Sequence, residues 1–312
     1  MHTALITGGH GGIGLSAARE LASRYKWNLL LAGRSPDRMA RAAEDLRRDF
    51  GVSVATVQLD TSSLHAVRTA AAEVTRMLES GALGSLDALL CNAGGRFDGP
   101  VSFSPEGYEL TFATNCLGHF LLANLLCGGM ADGGRIVFTA SGTHDPDTVD
   151  GRMVGRVVEP DADVLASTGK PGTALISVGK RYSTSKLCTV LNAYELDRRL
   201  RTAGRSLGAF AFDPGSVPET GFLRGLPGPI QSFAKSSFMH WLSRRLGVTT
   251  GSVAFSGAAL ARVAADPAYA GGSGKYFQCN DGKLNETRSS TISYDERRAA
   301  KLWKQMEALV TV

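Results

Sequence analysis

The chain has 312 residues, 43% of them hydrophobic and 20% charged, which suits one large α/β domain or two small ones with a sizeable core. A formal net charge of +5 is modest, and no Lys/Arg run resembles a nucleic-acid arm. That excludes a dedicated nucleic-acid binder and leaves an anionic cofactor as the natural use of the surplus charge.

The chain opens with a short apolar strand over residues 3–7, then Gly8-Gly9-His10-Gly11-Gly12-Ile13-Gly14, then an amphipathic helix over 15–25. The run fits Gly-x-Gly-x-x-Gly from Gly9 and Thr-Gly-x-x-x-Gly-x-Gly from Thr7. Glycines between a strand and a helix let the backbone approach a pyrophosphate, which sits where the first helical N–H groups point outward. No Lys-Ser/Thr follows the glycines, so this is not an ATPase-type phosphate loop. The second strand, 27–32, ends at Gly33-Arg34. An acidic residue there would accept hydrogen bonds from a ribose, whereas Arg34, with Arg38 one helical turn on, complements a 2′-phosphate.

Helices are expected over 36–50 and 63–78, with strands over 52–59 and 86–92. A long helix over 105–130 leads to a strand over 135–140, a helix over 182–203 and a strand over 207–212. A helix over 251–265 and a short strand over 275–277 complete the series. Near-continuous apolar strands alternating with helices imply an α/β fold, a doubly wound parallel sheet covered on both faces. There is no internal repeat or linker, so the whole of 1–312 is expected to form one dinucleotide-binding domain. Two stretches break the rhythm, 142–181 and 216–250.

Tyr182 and Lys186 stand four residues apart on the helix over 182–203, so the phenol and the ammonium share one face. A nearby cation lowers an acid's pKa by roughly 1–3, which would bring a tyrosine down from about 10 towards the range useful for proton transfer. Five cysteines (Cys91, Cys116, Cys127, Cys188, Cys279) lack paired metal spacing and read as reduced packing residues. His10, His119 and His144 show no metal spacing either. No apolar run reaches about 18 residues, and there is no room for a signal peptide before the first strand, so a cytoplasmic protein without stable membrane insertion is expected.

With these motifs in view, the chain resembles the short-chain dehydrogenase/reductase family over nearly all its length. The resemblance implies NADP(H) as cofactor, lined by Gly8, His10, Gly11, Gly12, Ile13 and Gly14 of the loop, Arg34 and Arg38, and Asp60 with Thr61 at the adenine. Asn92-Ala93-Gly94 matches the turn after the fourth strand, and Pro214-Gly215, in Asp213-Pro214-Gly215, the turn beside the nicotinamide. Asn115, Ser141, Tyr182 and Lys186 match the catalytic tetrad in order and context. Asn115-Cys116-Leu117-Gly118-His119-Phe120 and Tyr182-Ser183-Thr184-Ser185-Lys186 look like the branch of retinol dehydrogenases and light-dependent protochlorophyllide reductases. Departures are Cys91 where an Asn is common, Ala140 where many members have a Ser, and the 40 residues between Ser141 and Tyr182, a much longer stretch than most members carry.

The resemblance implies hydride transfer between the nicotinamide and a carbonyl or alcohol carbon, with Tyr182 moving the proton. Lys186 would lower the Tyr182 pKa and hold the ribose, Ser141 would hydrogen-bond the substrate oxygen, and Asn115 would fix a water linking Lys186 to solvent. Segment 216–250, with Phe222, Phe233, Phe238 and Trp241, reads as a substrate lid suited to a bulky, apolar or aromatic small molecule. Reduction of a carbon–carbon double bond is the alternative chemistry, and a non-catalytic NADP(H) sensor the alternative class. The insertion, with Val154, Val157, Val158, Val164, Leu165, Leu175, Ile176 and Val178, is expected to cover the two long helices that relatives pair, giving a monomer, or else to fold towards the pocket.

Overall fold

The computed structural model describes residues 1–81, 83–217, 245 and 248–311. One eight-stranded sheet runs in the order β3-β2-β1-β4-β5-β6-β7-β8. Its strands are β1 (His2–Thr7), β2 (Asn28–Gly33), β3 (Val54–Gln58), β4 (Ser85–Cys91), β5 (Met130–Thr139), β6 (Gly208–Asp213), β7 (Tyr276–Asn280) and β8 (Lys283–Thr287). All neighbours are parallel except β7 and β8. The order reverses between β1 and β4, the switch point at which such sheets bind ligands beyond their carboxyl ends.

Two apolar layers flank the sheet. One holds α1 (Gly12–Arg24), α2 (Pro36–Phe50) and α8 (Val253–Ala265) around Ile6, Leu31 and Phe212. The other holds α3 (Leu64–Glu79), α4 (Leu110–Gly129), α7 (Val178–Thr202) and α9 (Glu296–Thr311) around Leu89, Phe120, Leu191 and Met306. Start and stop chemistry explains the boundaries. Pro36 opens α2 and Gly51, in the left-handed region, closes it, while the Ser63 side chain accepts from Ala66 N at the start of α3.

The expected helix from 105 starts instead at Leu110. Gly107 turns the chain with a positive φ, and the Glu109 carboxylate accepts from Phe112 N to cap the helix. α4 then widens into a π turn over Ala113–Leu117 and ends in a 3-10 turn over Cys127–Gly129, where Gly128-Gly129 favours no helix. By length and composition α4 could cross a membrane, contrary to the expectation of no such run. It is instead a buried core helix.

β8 and α9 were not foreseen. Asp281 and Gly282 both have positive φ and turn β7 into β8, and Asp295 Oδ1 accepts from Arg297 N and Arg298 N to start α9. α9 lays Leu302, Trp303, Met306 and Val310 on the α4/α7 layer. The insertion contains α5 (Val149–Val154) and α6 (Ala162–Ser167). It buries Leu165, packs Val157, Val158 and Ile176 on the core, and is tied to α9 by Lys301–Asp161 and Arg298–Glu159 ion pairs. Val164 and Leu175 are exposed, so they are not part of that cover. The expected lid residues Phe222, Phe233, Phe238 and Trp241 lie outside the described residues.

Candidate active site

The glycine loop joins the end of β1 to α1 beside the switch point. A Cβ on Gly14 would stand 2.5 Å from Gly8 O and 2.7 Å from Asn92 Nδ2, so only glycine lets α1 start this close to the sheet. Gly12, at φ 53°, faces open space, and α1 has no side-chain cap at Gly11. Its first N–H groups are therefore left without a side-chain acceptor, the kind of helix start at which a pyrophosphate binds.

Thr7 anchors the next turn. Its Oγ1 accepts from Asn92 N at 2.8 Å and Ala93 N at 2.9 Å, while Asn92 Nδ2 donates to Thr7 O at 3.0 Å. Asp60 Oδ1 accepts from Ser62 N and Oγ, and Thr61 is buried where its carbonyl meets Gly118 of α4. Arg34, just past β2, and Arg38, in the first turn of α2, are exposed, and neither has an ion-pair partner among the described residues. They press on His10, whose pKa falls first through burial and then through the charges of Arg38 and Arg34. His10 Nδ1 is buried without a hydrogen-bond partner. This is the local field that a 2′-phosphate would relieve.

The catalytic candidates converge beyond β5, where Ser141 follows the strand. Ser141 hydrogen-bonds the Tyr182 side chain and its Oγ accepts from Thr143 N at 3.3 Å. Lys186 Nζ lies 5.8 Å from the Tyr182 ring centroid and donates to Thr139 O at 2.8 Å. The expected lowering of the Tyr182 pKa by Lys186 is not what the structure shows. Burial dominates, pushing Tyr182 up to about 12 against a smaller downward pull from Ser141. Burial also draws Lys186 down to about 8, with Asp213 opposing it. For both groups desolvation, which disfavours the charged form, is the largest cause.

Asn115 sits in the π turn of α4. Its Oδ1 accepts from Gly95 N at 2.9 Å, and its Nδ2 donates to Gly95 O at 2.9 Å and Ser185 Oγ at 3.0 Å. Both side-chain donors are thus committed to holding the Gly94-Gly95 turn on the first turns of α7. Beyond β6, Gly215 takes a positive φ and donates N–H to Asp213 Oδ1, while Pro214 O accepts from Ser256 Oγ.

Three neighbours of the site were given no role of their own by the sequence reading. Asp213 is fully buried, accepting from Tyr276 Oη at 3.0 Å and Gln278 Nε2 at 2.8 Å, and burial raises its pKa. His119 lies one turn after Asn115, 2.9 Å from Thr7 Oγ1, and burial lowers it to about 4. Asp150 of α5 accepts from Thr249 N and Oγ1, and its Oδ2 and that of Asp213 would both meet a Cβ on Gly142, so the insertion reaches the residues after Ser141 as well as the helix pair. No residue spacing advertises these contacts, because each partner comes from a distant segment. Among the described residues no His/Cys/Asp/Glu cluster could hold a metal.

The family model described as short chain dehydrogenase matches residues 2–147. Protochlorophyllide reductase A of Oryza sativa subsp. japonica is 32% identical over 98% of this chain and 80% of its own length. Polyprenol dehydrogenase of Danio rerio is 32% identical over 98% of this chain and 86% of its own. Among solved structures, a short chain dehydrogenase from Burkholderia cenocepacia in complex with NADP superposes with a TM-score of 0.63. It is 22% identical and the match covers 89% of this chain and 95% of that one, a likeness of fold.

Proposed function

The chain belongs to the short-chain dehydrogenase/reductase family, and on that footing we propose that it is an NADP(H)-dependent oxidoreductase acting on a carbonyl or alcohol carbon of a bulky, apolar or aromatic small molecule. The observation that carries this is the meeting of Ser141, Tyr182 and Lys186 beyond β5, beside an uncapped helix start and two arginines without ion-pair partners among the described residues.

The Gly11–Gly14 backbone, Arg34, Arg38 and Lys186 would hold NADPH, which would supply the hydride. Tyr182, kept protonated at neutral pH by its high pKa, donates its phenolic proton to the substrate oxygen as charge develops there. Ser141 Oγ steadies that oxygen and the phenol together. The Lys186 ammonium, anchored on Thr139 O, offsets the phenolate left behind. The Asn115 side chain holds the turn at Gly95, and its main-chain carbonyl lies 3.4 Å from His119 Nδ1.

The apolar residues of segment 216–250, and a relative named for polyprenol, support the apolar substrate class. The cover of α4 and α7 by α9 and the insertion supports a monomer. The test is NADPH consumption against bulky aromatic and aliphatic ketones and aldehydes, with conjugated olefins alongside. Turnover of carbonyl compounds supports the proposal. Turnover of olefins alone, or tight NADPH binding with no turnover, overturns it.

A further inference from the structure

His144 has no part in the chemistry described so far, yet it touches the main chain of Ser141. Its Nδ1 lies 2.7 Å from Ser141 O, and its Nε2 accepts from Ser290 N at 3.0 Å. The two partners decide the tautomer between them. A carbonyl oxygen only accepts, so Nδ1 must carry the proton. A backbone N–H only donates, so Nε2 must be bare. A second proton would set two N–H groups against each other at Ser290.

The anchor at the far end is rigid. Ser290 opens a 3-10 turn (Thr291–Tyr294) that is 2% exposed at Ser290 and 1% at Ser293. Tyr194 of α7 hydrogen-bonds Ser289 Oγ at 2.7 Å, and Tyr194 and Tyr294 stack at 5.5 Å. The ring of His144 is fixed as well, tilted on Tyr276 at 5.0 Å, and Tyr276 Oη is held by Asp213. Burial lowers the His144 pKa, with the Ser141 carbonyl and the charge of Asp145 opposing. On the near side, Ser141 O accepts from both the main-chain N–H and the imidazole of His144, which fills its two lone pairs. The strand end that carries Ser141 Oγ is thereby fastened to a segment 146 residues downstream.

We propose that His144 is a positioning residue for the reaction: held as the neutral Nδ1–H tautomer, it clamps the Ser141 main chain to the Ser289–Tyr294 turn and so keeps Ser141 Oγ on the Tyr182 hydroxyl. This rests on the role given to Ser141 in the proposed reaction. It also makes the segment beyond β8 part of the site.

The first test needs no activity. Long-range proton–nitrogen spectra of histidine-labelled protein, assigned by the signal lost in His144→Asn, should show Nδ1 protonated, Nε2 bare, and no titration between about pH 8 and about pH 6. Exchange of the Ser290 amide should speed up in His144→Leu and His144→Asn but not in His144→Gln, whose carbonyl can reach the Nε2 position. Catalysis is then read with NADPH and nitrobenzaldehyde. His144→Leu, His144→Asn and His144→Gln each break at least one end of the clamp and should all lose about tenfold or more in kcat, while NADPH affinity should not change. An Nε2–H tautomer, an imidazole that titrates in this range, or a folded His144→Leu protein with kcat within about twofold of wild type overturns the proposal. A wild-type protein inert to every carbonyl compound would sink the reaction itself, while the spectra and the Ser290 exchange would still decide the clamp.

Discussion

Replacing Trp303 by Ala tests whether α9 is the cover of the catalytic helix pair. The indole is 2% exposed, meets Phe120 of α4 edge-on at 4.7 Å, lies under the Arg199 guanidinium at 4.5 Å, and donates to Glu307 Oε1 at 2.7 Å. Truncating a buried Trp to Ala costs about 3–5 kcal/mol, a figure that already contains the ring contacts. For a chain of 312 residues the unfolding entropy is about 0.65 kcal/mol/K, so Tm should fall by about 5–8 °C. Thermal and urea melts read the loss, and light scattering at micromolar concentration reads the assembly. Wild type should scatter as a monomer, because α9 occupies the face of α4 and α7 that a second copy would need. A Tm loss below about 2 °C would show α9 to be a loosely attached tail, and a stable wild-type dimer built on α4 and α7 would refute the cover outright.

Arg34→Ala should weaken NADPH binding by about tenfold or more and leave NADH nearly unchanged, by fluorescence titration, since it removes a charge-assisted partner of the 2′-phosphate. Equal loss for both cofactors would mean that Arg34 reads another group. In cofactor-free protein, Lys186 should titrate near pH 8, and its side-chain carbon resonance can follow this. Its folded pKa lies below the ordinary lysine value of 10.5, so the unfolded chain binds more protons between about pH 8 and about pH 10.5. Lys186→Met should therefore stabilise the cofactor-free protein most at or below pH 8, with the gain shrinking as pH rises. A titration at or above about 10 would contradict the burial of this ammonium.

The sheet and the glycine loop were legible because they rest on local pattern. Apolar strands such as Leu29-Leu30-Leu31 and the run Gly8–Gly14 announce themselves in a short window. The Asp281-Gly282 turn and the apolar spacing of Leu302, Trp303, Met306 and Val310 were equally present, and reading them would have found β8 and α9. The start of α4 was misplaced because Pro105 suggests a first helical turn, while Gly107 and the Glu109 cap postpone it to Leu110. The direction of the Tyr182 shift was beyond the sequence, since it depends on how much protein surrounds the phenol rather than on the four-residue spacing to Lys186. The His144–Ser290 and Asp213–Tyr276 bonds join segments whose nearness only the folded sheet creates.

The central claim is that Tyr182 supplies the proton for NADPH-dependent carbonyl reduction. The most direct measurement is single-turnover NADPH oxidation by Tyr182→Phe, paired with an NADPH titration of the same protein. Phenylalanine keeps the ring and removes the proton, so the rate should fall by about 10²-fold or more while NADPH still binds with near wild-type affinity. A rate within about threefold of wild type would contradict the account.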